Sequence, residues 1–125
     1  MINRIGQYTI EFENQPEICG YASIVGKKES EGPLKEWFDK IVYDSHSGKE
    51  TWEQAESDLQ KQALDMALGK AKIKSSECNM VFSGDLLNQC ISSGFGLRDF
   101  GIPFLGQYGA CSTMAQSLIM GSVMI

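Results

Sequence analysis

Tyr8, Ile10 and Phe12 alternate with Thr9 and Glu11, the period-two pattern of a strand with one buried face. Asn14-Gln15-Pro16 then reads as a turn. Ile18 to Val25 follows as a second strand, with Ala22 and Ile24 on one face, and Gly20 within it signals close backbone packing. Gly26 to Gly32 is polar and charged, a loop. Pro33 suits the start of a helix, where its missing N–H costs nothing. Leu34, Trp37, Phe38 and Ile41 then fall at helical spacing. Asp44 to Lys49 is a second polar loop, and it holds His46.

The strongest helix begins at Thr51. Thr51 and Gln54 fit a capping box. Trp52, Ala55, Leu59, Ala63 and Met66 form its apolar stripe. Glu50 and Glu53 lie early and Lys70, Lys72 and Lys74 late, as the helix dipole favours. Met80-Val81-Phe82 is a short apolar run ending at Ser83-Gly84, a buried strand. Asp85 is placed to cap a short helix carrying Leu86, Leu87, Cys90 and Ile91. Gly94 to Gly101 is a connection containing Arg98, and Ile102 to Tyr108 is another buried strand. Gly109-Ala110-Cys111-Ser112-Thr113 makes an elbow of small residues, and a last helix runs to Ile125. From Trp52 onward the order helix, strand, helix, strand, helix implies an α/β fold with a largely parallel sheet and flanking helices.

Composition narrows the function classes. The chain has 125 residues, enough for one core, and 42% are hydrophobic, which excludes a disordered chain. The formal net charge is −5 and no basic stripe is present, so nucleic acid is not an expected partner and any anion site must be local. Cys19, Cys78, Cys90 and Cys111 show no C-x-x-C spacing and His46 is the one histidine, so neither a metal nor a cofactor is expected. The first residues lack the apolar core of a signal peptide. A cytoplasmic chain with reduced thiols follows. No run reaches the roughly 20 apolar residues needed to cross a bilayer. The stretch from Leu118 to Ile125 reads as a buried helix.

The elbow is the candidate for chemistry. A strand, a sharp turn and a helix start aim unused N–H groups, at the positive end of the helix, at one point. Such a corner holds a carboxylate or an oxyanion and stabilises a thiolate. Cys111 then has two readings: a nucleophile or pocket-lining residue, or a small buried thiol filling a tight corner. Asp85, Asn88 and Gln89 follow a strand at the end where open α/β sheets bind ligands, and capping by Asp85 is the alternative. Arg98 is either a cation for a ligand or a surface partner of the Asp99 region. Phe95, Phe100 and Phe104 either line a pocket or pack in the core.

Several segments carry a family resemblance. Phe82-Ser83-Gly84-Asp85-Leu86-Leu87-Asn88-Gln89 and the run from Gly101-Ile102-Pro103-Phe104 through Gly109-Ala110-Cys111-Ser112-Thr113 resemble the stage V sporulation protein AD family. Glu31-Gly32-Pro33-Leu34 and Phe38-Asp39-Lys40 also resemble it. The resemblance implies a thiolase-like fold, of which residues 1–125 would be the N-terminal half, incomplete at its C-terminal end. It further implies a non-catalytic binder of dipicolinic acid that supports dipicolinate uptake into the forespore. Such a protein would work with other proteins of its operon, peripheral to the inner spore membrane. On this view the ligand-binding residues are Gly109, Cys111, Ser112, Thr113 and Asn88. The related ketoacyl synthases are acylated on the elbow cysteine, so a condensing or acyl-transfer enzyme using Cys111 is the alternative. The histidine partners of that chemistry have no counterpart in this sequence, and His46 is expected to be a solvated loop residue. A third alternative is an inactive truncated fragment without a ligand, prone to form homo-oligomers through its apolar face.

Overall fold

The computed structural model describes residues 2–125. Strands β1 (Ile2–Ile5) and β2 (Thr9–Phe12) form an antiparallel hairpin turning at Gly6. Strand β3 (Ile24–Gly26) pairs in parallel with β4 (Lys40–Val42), and β5 (Val81–Ser83) pairs in parallel with β6 (Phe104–Gly106). Three α-helices complete the order: α1 (Trp52–Ala71), α2 (Ile91–Leu97) and α3 (Thr113–Met124).

The α/β class and the parallel pairings agree with the sequence pattern. The single sheet does not: the strands form three two-stranded sheets. The strand expected over Ile18 to Val25 shortens to Ile24–Gly26, the residues that β4 pairs, and Gly20 packs closely as expected, against α1, where a Cβ would sit 2.7 Å from the Ala67 carbonyl oxygen. The helix expected from Pro33 is also corrected. Only a 3-10 turn forms at Lys35–Trp37, and Trp37 is 81% exposed. The N–H groups of Asp39 and Lys40 donate to the Ser23 carbonyl, and the Asp39 carboxylate takes the Ser23 N–H and Lys70. Those bonds draw the chain beside β3 as a strand.

Helix α1 forms as its pattern requires. Thr51 accepts the Gln54 N–H at 3.2 Å, and the Gln54 side chain accepts the Glu50 N–H at 3.2 Å. The helix ends at Lys72, which adopts the left-handed conformation (φ 57°) while Lys72 and Ile73 donate back to the Gly69 and Leu68 carbonyls. That is a Schellman closure with lysine where glycine is usual. His46 is half-buried on the Trp52 ring, with centroids 4.0 Å apart, rather than solvated.

The core is thin. Ala55, Leu97 and Ile102 are its buried apolar residues, and Asp85, Ser92, Ser93 and Gln107 are buried polar ones. Helices α1 and α2 meet through Gly96, where a Cβ would stand 2.6 Å from the Ser57 carbonyl oxygen. Helix α3 lies over β5 with Gly121 against Phe82, and none of its residues is buried. Phe95 and Phe104 are exposed and Phe100 is half-buried, so none of the three is a core residue.

Candidate functional site

The C-terminal ends of the parallel strands β5 and β6 open onto two connections that touch. After β5 comes the loop from Gly84 to Cys90. After β6, Gln107 and Tyr108 lead into the elbow. Gly84 is the point of contact: a Cβ there would lie 1.9 Å from the Gln107 carbonyl oxygen and 2.9 Å from the Thr113 methyl. Only glycine lets β5 end this close to the elbow. The Gln107 N–H donates to the Ser83 carbonyl at 2.8 Å, and the Cys90 thiol donates to the Gln107 carbonyl at 3.4 Å.

The short helix expected directly after Asp85 begins later, at Ile91. Gln89 and Cys90 both adopt positive φ (49° and 69°), which breaks a helix before it starts. Asp85 still caps α2, but from six residues upstream of its first turn. Its carboxylate is 4% exposed and accepts the Ser93 N–H and hydroxyl at 2.8 Å each, together with the Asn88 N–H at 3.3 Å. Burial pushes this carboxyl up, but the Ser93 and Asn88 donors outweigh burial and hold it below its ordinary range.

The elbow lies at a strand-to-helix junction, as the small residues foretell. Ala110–Ser112 forms a 3-10 turn, with Ala110 at φ 48°, and leads into α3 at Thr113. The Gly109 carbonyl accepts both the Ser112 N–H at 2.9 Å and the Ser112 hydroxyl at 2.6 Å. The Gly109 N–H donates to the Thr113 hydroxyl at 3.2 Å, and the Thr113 N–H returns to the Ala110 carbonyl. The amides of Gly109, Ser112 and Thr113 are therefore spent inside the turn. Among the described residues the Cys111 N–H has no acceptor and the Cys111 thiol is exposed. Within the elbow Cys111 thus has both a free amide and an accessible sulfur, and the small-buried-thiol reading does not describe it.

Of the other expected site residues, Asn88 is exposed in the loop after β5 and bonds through its backbone. Arg98 is a surface residue, 3.7 Å from the Asp99 carboxylate and over the Phe95 ring at 5.2 Å. A shallow depression of about 310 Å³ starts at Ser112 and continues along α3 past Ala115, Gln116, Ile119 and Met120. A larger cleft, about 650 Å³, lies elsewhere, between α1 and α2. Its cations are already paired, Lys61 with Asp99 at 2.8 Å and Lys49 with Asp58 at 3.6 Å. It offers an anion little.

Sequence reasoning missed Glu56, which sits beside Asp85 at the α1–α2 contact and has a buried oxygen, Oε2, without a partner. A glutamate one position past the stripe residue Ala55 carries no signal of its own.

The chain matches the family model for stage V sporulation protein AD (SpoVAD) over residues 6–125. Stage V sporulation protein AD of Bacillus subtilis (strain 168) is 33% identical over 120 residues, which cover 96% of this chain and 36% of that protein. This chain belongs to the stage V sporulation protein AD family and spans about a third of that relative's length.

Proposed function

We propose, taking that family membership as the premise, that this chain serves sporulation as the N-terminal part of a non-catalytic protein that binds dipicolinate and supports its uptake into the forespore. The ligand is a flat ring with two carboxylates. Its site needs N–H donors beside an apolar slot. The observation that carries the reading is the elbow, where the unused Cys111 N–H sits one residue from the depression along α3. One carboxylate would take the Cys111 N–H, at the positive end of α3. The ring would lie along Ala115 and Ile119, and Asn88 would approach from the neighbouring loop. No helix among the described residues is long and apolar enough to cross a membrane. We infer that it acts at the inner spore membrane together with other proteins of the same operon.

A second reading has its own observation. An exposed thiol at a helix start is also how an acyl-accepting cysteine is presented. Calorimetric titration with dipicolinate, using benzoate as a one-carboxylate control, separates the two. Binding of dipicolinate that survives Cys111→Ala is the expected result. A covalent mass increase on Cys111 after incubation with an acyl thioester, with no heat from dipicolinate, would replace this reading with acyl transfer.

A further inference from the structure

Away from the elbow, two carboxyl groups share one cluster where α1 meets α2, and they are not equivalent. Asp85 is fully supplied with donors. Glu56 is half-buried with its Oε2 closed off from solvent and without a hydrogen-bond partner, beside the fully buried Ser92. An ionised carboxylate in such a place loses water at Oε2, and the nearby Ser92, Leu86 backbone and Gln60 replace it only in part.

The surroundings offer Glu56 no counter-charge. Helices α2 and α3 and strands β3, β5 and β6 contain no Asp, Glu, Lys, Arg or His. The loop after β5 brings Asp85, an anion, and Cys90, whose thiol bonds the Gln107 carbonyl. On α1 itself, Glu53 opens to the α1–α2 cleft, Asp58 is held by Ser47, Gln62 and Lys49, and Lys61 is held by Asp99. Lys61 lies five residues on, about 140° round the helix from Glu56. Arg98, just past α2, pairs with Asp99.

We propose that Glu56 is a pH-sensitive latch on the α1–α2 contact. Carrying its proton, the side chain is tolerated beside the Asp85 carboxylate. Without it, two like charges face each other in a half-closed site and the contact loosens. Loosening passes toward the elbow, because Asp85 holds the loop whose Cys90 bonds Gln107, two residues before Gly109.

The direction of titration agrees. Burial first, and then the Asp85 charge, push Glu56 above its ordinary 4.5, and they outweigh the lowering influence of Ser92, the Leu86 backbone and Gln60. A raised acid contributes stability that is complete below 4.5 and fades as pH rises through the raised value. Urea denaturation of the chain and of Glu56→Gln, at matched low concentration from pH 5 to pH 8, tests the latch. The folding constant of the native chain should fall several-fold relative to the variant across this range. A difference spectrum between the two should show a protonated-carboxyl stretch persisting above pH 5. Parallel stability profiles, or no such band, overturn the proposal. Should Glu56→Gln fail to fold, carboxyl NMR of the native chain decides: one glutamate titrating above the rest supports the latch, and uniform titration refutes it.

Discussion

At the residue scale, the contacts that matter most here are those a glycine or a buried carboxylate makes possible. Gly84 lets the β5 loop and the elbow touch, and its hydrogen stands where a methyl would overlap the Gln107 carbonyl. Gly84→Ala should cost about 3 kcal/mol, the upper end for overpacking, read as a lower urea midpoint. Gly94→Ala is the matched control: no atom lies within 4 Å of its Cβ position and it sits within α2, so it should be neutral or stabilise by about 0.5–1 kcal/mol. Equal losses from both would show that the close approach at Gly84 is unimportant. Asp85→Asn exchanges an acceptor that holds three donors for one that holds fewer, and should cost about 1–3 kcal/mol at pH 7. Because the Asp85 carboxyl is held low, its contribution is present above the ordinary 3.8 and vanishes as pH falls through the lowered value. The gap between native chain and Asp85→Asn should therefore close in acid; a gap that stays constant would refute the role given to its charge. The sequence names Asp85 as a cap, but its helix cannot be placed from local pattern, since the capped turn starts six residues later in the chain.

At the element scale, legibility follows how local the determining contacts are. Helix α1 reads directly because its stripe, cap and terminal lysines lie within one segment. Thr51→Ala should cost about 1 kcal/mol, a fall in melting temperature of about 4 °C for a chain of this size; an unchanged melt would mean the cap bond is idle. The elbow reads equally well, since small residues between a strand and a helix constrain the backbone there. Strand β4 does not. Leu34, Trp37 and Ile41 mimic a helical stripe, and only Ser23 and Lys70, distant in sequence, turn the segment into a parallel partner of β3. The free Cys111 amide is also beyond sequence reading, because which amides a 3-10 turn consumes depends on its exact hydrogen bonds.

At the scale of the whole molecule, the short strands and the thin core belong together. Two-stranded sheets are marginal alone in water, and here three of them stand without joining. The apolar residues that would back a larger sheet lie outward instead: Ile2, Ile5 and Ile10 on the hairpin, and Met114, Leu118, Ile119 and Val123 on α3. Continuous apolar surface of this kind is rarely left to water. The sequence foretells α3 as a buried helix, and the structure supplies the helix without the cover. The isolated chain should therefore self-associate at micromolar concentration, with its elution volume moving toward larger species as concentration rises. Ile119→Glu, which places a charge in the exposed α3 face, should shift the population back toward monomer. A compact monomer at all concentrations, unaffected by that substitution, would mean that the face is stable in water as it stands.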